Sequence, residues 1–145
     1  MEMLLVLALF LLMLSVIWVY QFLSTVWARR RFINTVTSPD LKSETGSQFQ
    51  TMFKEIMKKR ELPYVEIAVN EFGVAVPTSH IDGPTMTLDL SFKAVDGLHW
   101  EGDRLLFRAK FSGSSEKVCL PVKSMVALYS AKSGRGIVFR QAGER

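Results

Sequence analysis

Ser114-Ser115-Glu116-Lys117 has the S-x-x-K spacing in which a serine acylates and a lysine serves as its base. That chemistry needs both side chains on one face at the start of a helix. Here the four residues follow Ser112-Gly113 between two apolar runs, and the S-D-N and K-T-G partner motifs are absent. The segment reads as a turn between strands. Gly134-Arg135-Gly136 is an isolated G-x-G without the strand, glycine loop and helix that cradle a phosphate, and it also reads as a turn. His80 in a loop and His99 on a strand lack metal-ligand spacing and read as structural. Asp82, Asp89, Asp96 and Asp103 recur every seven residues but fall in turns and on strand faces. The one cysteine, Cys119, excludes an intramolecular disulfide and a cysteine-rich zinc site. It reads as a small buried hydrophobe in a reducing compartment. With no converging acids, bases or ligands, neither enzyme activity nor a cofactor or metal is expected.

The elements are better marked than any reacting centre. Phe49, Met52, Phe53, Ile56 and Met57 form one apolar helical stripe. Ser47 and Gln50 fit a capping box at its start. Lys54, Lys58, Lys59 and Arg60 occupy the other faces and the last turn, where cations suit the helix dipole, and Pro63 stops it. The stripe suits either a dimer seam or a domain core. From Tyr64 the period becomes two, with Val65, Ile67 and Val69 alternating against polar neighbours. Gly73 to Val76 is a short strand ended by Pro77, and Thr85 to Phe92 alternates strictly. Leu98–Glu101 and Arg104–Phe111 read as a hairpin over Gly102-Asp103, and Glu116–Leu120 as another strand. Pro121 to Lys132 reads as a helix with Met125, Val126, Leu128 and Tyr129 as its stripe and Gly134 as its stop. Ile137–Phe139 is a last strand. A helix followed by short strands and tight turns indicates an α+β domain built on a small bent sheet or barrel.

Ahead of this domain, Met3 to Leu23 runs 21 residues without a charge, fourteen of them Leu, Ile, Val or Phe. As a helix it reaches about 32 Å, enough to cross the hydrocarbon core. Trp18, Tyr20 and Trp27 sit near its end, and Arg29, Arg30 and Arg31 follow. A cleaved signal peptide has its positive charge before a shorter core, the reverse of Glu2 and this arginine triplet. Residues 1–28 therefore read as a single N-terminal transmembrane anchor, 29–46 as a basic flank and flexible linker, 47–140 as the domain, and 141–145 as a short tail. By the positive-inside rule the N-terminus lies outside and the domain is cytoplasmic. The net charge of +4 is carried largely by the triplet, which suits anionic lipid. Over 47–145 there are 14 basic against 11 acidic residues, without the basic stripe that nucleic acid demands.

The order of short motifs within the domain is recognisable. It runs Gly73-Val74-Ala75-Val76-Pro77, Asp82-Gly83, Leu88-Asp89, Ala94-Val95, Phe107-Arg108-Ala109-Lys110-Phe111, Pro121, then Ala127-Leu128-Tyr129-Ser130-Ala131-Lys132-Ser133-Gly134-Arg135-Gly136. Over about residues 48–140 this resembles the stringent starvation protein B family, adaptors that deliver tagged proteins to the Clp protease. The resemblance implies an N-terminal helix packed on a small Sm-like β-barrel, and dimers joined largely through that helix. It also implies a groove that holds an extended peptide, the tag added to stalled translation products by transfer-messenger RNA. Carried over residue by residue, that groove is bordered by Leu88, Asp89, Ala94, Val95, Phe107, Ala109 and Lys110.

Four departures bear on that expectation. The family's motif asparagine is Asp89, an acceptor only. Its motif arginine is Lys110, which lacks the planar fork. The motif glycine is displaced, giving Ala94-Val95-Asp96-Gly97. Where soluble members carry a long acidic tail that docks on the ClpX unfoldase, the sequence given runs Arg140-Gln141-Ala142-Gly143-Glu144-Arg145. Two readings result. One is a membrane-anchored adaptor of the bacterial inner membrane, recruiting tagged or membrane-proximal polypeptides for Clp-type proteolysis, with ClpX reached through another subunit. The other is a non-catalytic interaction subunit of a membrane assembly that uses this fold for a different partner.

Overall fold

The computed structural model describes residue 6, residues 11–23 and residues 43–140. The chain divides into two compact units, Met1–Phe32 and Ile33–Arg145. In the first, residues 11–23 form helix α1, whose apolar side chains are exposed all round. Trp18 and Phe22 stack with centroids 6.4 Å apart, and the Ser15 hydroxyl donates to the Leu12 carbonyl at 2.8 Å. Among the described residues no helix is long and apolar enough to cross a membrane. The rest of the expected anchor, Arg29 to Arg31, the linker to residue 42 and the tail 141–145 lie outside the described residues.

In the second unit, helix α2 spans Glu44–Lys58. Its cap lies four residues before the expected one at Ser47. Ser43 occupies the cap position with no side-chain cap bond, so the capping box at Ser47 does not form. Glu44 supplies a negative charge to the first turn, and Ser47 N–H already donates to the Ser43 carbonyl at 3.0 Å. Gly46, expected in the linker, is buried within the first turns. The apolar stripe packs on strands of its own domain, with Phe49, Phe53, Ile56 and Met57 almost fully buried. This burial assigns the stripe to the core rather than to a seam between copies. At about 1.5–3 kcal/mol per side chain, it is worth on the order of 6–12 kcal/mol. Phe49 is the hub, stacked on Phe53 at 5.9 Å and edge-on to Trp100 at 5.5 Å.

Among the described residues seven strands follow: β1 (Pro63–Ala68), β2 (Thr85–Asp89), β3 (Val95–Glu101), β4 (Arg104–Phe111), β5 (Ser114–Pro121), β6 (Met125–Ser130) and β7 (Gly136–Val138). They form two antiparallel sheets, β2-β1-β6-β7 and β3-β4-β5, rather than one continuous barrel ladder. A single bridge, Ala75 with Cys119, is what remains of the expected strand at Gly73–Val76. Its partner Cys119 is half-buried, not fully enclosed. The β3–β4 hairpin turns at Gly102-Asp103 as expected, with Gly102 at φ 57. The β4–β5 hairpin turns at Ser112-Gly113 with φ of 47 and 87, the pair of positive values a type I′ turn requires.

The expected helix at Pro121–Lys132 is instead the end of β5, one 3₁₀ turn at Val122–Ser124, and strand β6. The Ser124 hydroxyl donates to the Pro121 carbonyl at 2.7 Å and closes that turn. Strand β6 lies between β1 and β7, with α2 packed on it, and nearly all of it is buried. A strand covered on both faces has no polar alternation, so its continuous apolar run imitates a helical stripe. Gly134, expected as a helix stop, has φ 70 in the β6–β7 turn.

Candidate functional site

The two sheets leave an open groove of about 470 Å³, lined by β2, the end of β4, Ala94 and the loop before β2. Five residues expected there, Leu88, Asp89, Ala94, Ala109 and Lys110, do line it. The other two do not. Val95 and Phe107 are 6% and 3% exposed and point into the core. Phe107 is two residues from Ala109 on β4 and Val95 is the cross-strand partner of Ala109, so all three share a face; that face is covered along the middle of the sheet and opens only at the end of β4.

Strand β2 is the outer strand of its sheet, paired only with β1. Its register places Val65 opposite Leu88 and Ile67 opposite Met86. The Val69 N–H donates to the Pro84 carbonyl and the Leu90 N–H to the Pro63 carbonyl, at 3.1 and 2.9 Å. These two bonds fix the phase of the ladder. Met86 and Leu88 exchange bonds with β1, whereas Thr85, Thr87 and Asp89 turn their N–H and C=O groups outward. The groove therefore has a free backbone edge along one side. On the other side, β4 continues past the start of β3, because β3 begins at Val95 opposite Ala109. Lys110 and Phe111 are left beyond that pairing. An extended polypeptide laid here would find main-chain donors and acceptors at alternate residues.

Strand β2 ends at Asp89 rather than Phe92 for a local reason. The Asp89 carboxylate accepts the Ser91 N–H at 2.7 Å, an Asx-type turn. The chain then bends so that Ala94 and Val95 N–H both reach the Ser91 carbonyl, at 2.9 and 3.1 Å. Asp89 thus shapes the groove wall and positions Ala94. Lys110 is exposed and, among the described residues, forms no salt bridge.

Sequence reasoning passed over His80, Asp82, Thr85, Met86, Thr87 and Phe111, which complete the lining. His80 closes one end. Its Nδ1 lies 2.9 Å from the Ser79 hydroxyl and its Nε2 3.0 Å from the Ser112 hydroxyl, while its ring meets Phe111 edge-on at 5.4 Å. It ties the loop before β2 to the β4–β5 turn, 32 residues away, and no local spacing announces such a tie. His99, by contrast, stays away from the groove, with its Nδ1 2.6 Å from the Gly97 carbonyl at the β3 bulge. Among the described residues no cluster of His, Cys, Asp or Glu is arranged to hold a metal ion.

The family profile described as Stringent starvation protein B matches residues 47–145. A stringent starvation protein B homolog from Haemophilus influenzae is 30% identical over 77 residues, 53% of this chain and 51% of that protein. The chain thus spans about half the length of the curated relative it matches.

Proposed function

The chain belongs to the stringent starvation protein B family, and from that premise we propose that it is a membrane-anchored, non-catalytic adaptor. Its groove takes an extended peptide, a tag of the transfer-messenger RNA type or a membrane-proximal polypeptide, for Clp-type proteolysis. One observation carries the reading: Leu88, Asp89, Ala94, Ala109 and Lys110 converge on one groove beside the outward backbone groups of β2. Ala94 is small enough to let a peptide backbone approach, and Lys110 offers a cation to its acidic or amide side chains.

The anchor is supported by the charge-free run to Leu23 and by α1, which is predominantly apolar and whose apolar side chains are exposed all round. A helix of that kind suits a lipid surrounding, and Ser15 satisfies its hydroxyl within the helix, as a lipid-exposed residue must. Arg29 to Arg31 orient it, with the domain on the cytoplasmic side of a bacterial inner membrane. Tethering concentrates the groove near polypeptides emerging at the bilayer. Because α2 spends its stripe on its own core, a homodimer of the family type would join through the other face of that helix. Engagement of ClpX would run through another subunit.

The test is fluorescence anisotropy of a tag peptide against the full chain in detergent micelles, with Ala94→Gln as the control. The expected outcome is micromolar binding that the control abolishes. No binding at high micromolar concentration by a folded chain overturns the tag reading. The alternative, an interaction subunit of a membrane assembly, is favoured by one feature: the Asp89 carboxylate is already engaged by Ser91. Recovery of membrane subunits without protease components in a pull-down would decide for it.

A further inference from the structure

Phe72 is 86% exposed, more than any other large apolar side chain among the described residues. The loop that carries it is pinned rather than slack. The Val74 N–H donates to the Glu71 carbonyl at 3.2 Å, with Phe72 and Gly73 between them. Gly73 has φ 89 at the third position, where a type II turn needs glycine. The Glu71 carboxylate is gripped by Arg140 Nη1 at 2.9 Å. Ala75 exchanges two backbone bonds with Cys119, both 3.0 Å. A Cβ on Gly73 would stand 3.2 Å from Pro121, so the turn sits directly on β5. The backbone on both sides of Phe72 is held by these bonds, and its ring is left in solvent.

The ring has basic company. Lys123 Nζ lies 5.4 Å from its centroid. Arg104 and Lys123 line the same shallow depression of about 430 Å³, with Asp103 as its one acidic residue. Ser43 and Thr45, where the described domain begins, line it too. An aromatic wedge flanked by cations matches the boundary between anionic headgroups and acyl chains. The sequence upstream of Ser43 leads back through Arg31, Arg30 and Arg29 to the charge-free run.

We propose that the Phe72 turn docks the domain on the surface of an anionic bilayer. The Phe72 ring enters the headgroup boundary, and Arg104 and Lys123 meet lipid phosphates. The inference rests on the anchor reading above but not on the peptide groove, whose residues are different. It removes the free rotation that a flexible linker would otherwise permit.

The test uses the full chain with Asn70→Cys in a Cys119→Ser background, labelled with an NBD dye beside the turn. The labelled chain is placed in nanodiscs of phosphatidylcholine, with or without phosphatidylglycerol. Blue-shifted emission, quenched by brominated lipid, is expected in the anionic discs alone. Phe72→Ala should weaken the docked state about tenfold. Lys123→Glu, Arg104→Glu or high salt should restore water-like emission. Water-like emission in both bilayers, from a chain that resists carbonate extraction, overturns the proposal. A chain that does not insert is mixed with vesicles of the same lipids, and water-like emission there overturns it equally. A shift that requires an added protein also overturns it, in favour of a protein partner. Tag-peptide anisotropy on the same samples reports the groove separately.

Discussion

The outward phase of β2 makes a sharp prediction at Thr87. If a peptide adds to this edge, the Thr87 N–H is a donor to it and has no partner in the ladder with β1. Thr87→Pro deletes that donor and nothing else in the ladder. Proline is tolerated on an edge strand when its missing N–H faces outward. One backbone hydrogen bond has a net worth of about 0.5–1.5 kcal/mol, so peptide affinity should fall about twofold to twelvefold. Thermal stability should change little. Leu88→Pro, one residue on, removes a ladder bond and fills buried space with the wrong shape, and should unfold the sheet edge. The assay is tag-peptide anisotropy with a thermal melt of each variant. Thr87→Pro that binds as tightly as the parent, alongside an Ala94→Gln variant that does not bind, would refute edge pairing. A Thr87→Pro melt as low as that of Leu88→Pro would refute the assigned ladder phase itself.

Three further outcomes follow from the geometry. Phe49→Ala, at the hub of the α2 core, should cost about 3–5 kcal/mol, read as a large fall in melting temperature. Asp89→Asn keeps an acceptor for the Ser91 N–H, so stability should hold; the loss of charge should strengthen binding of acidic over basic peptides, measured by competition. At the end of α2, hydroxyls of Ser130 and Ser133 hold the Glu61 carboxyl below the usual carboxylate range, and Ser133 Oγ donates to Glu61 Oε2 at 2.7 Å. A carboxyl depressed in the folded state stabilises above its unfolded pKa, and that contribution is lost as pH falls through the folded value. Ser133→Ala should therefore lower the melting temperature at neutral pH, and the gap to the parent should close in acid.

Legibility followed how locally each element is determined. The α2 stripe and the β3–β4 hairpin were readable because periodicity and turn glycines sit within a few residues of each other, whereas the turn expected over Ser114–Lys117 is already strand β5. The β6 strand was not, since its burial on both faces depends on β1, β7 and α2, distant in sequence. The groove divides the same way. Leu88, Asp89, Ala94, Ala109 and Lys110 were reachable through motif order. Val95 and Phe107 were assigned with them because motif order carries no information about where along a strand its face is covered by the core.

The part of the groove hardest to read is also the part that a peptide would use most. Main-chain donors and acceptors belong to every residue, so no residue type marks Thr85 or Thr87 as an edge. Their availability follows from β2 having one neighbour instead of two, which is a property of strand order. A groove that binds through backbone can tolerate Asp89 and Lys110 in place of the family's asparagine and arginine. The edge bonds persist, and only the preference among side chains shifts. On the proposed reading, affinity for extended chains and selectivity among them would be held by separable features. Thr87→Pro should erode affinity for every peptide alike, whereas Asp89→Asn should reorder peptides while leaving the average affinity near its starting value.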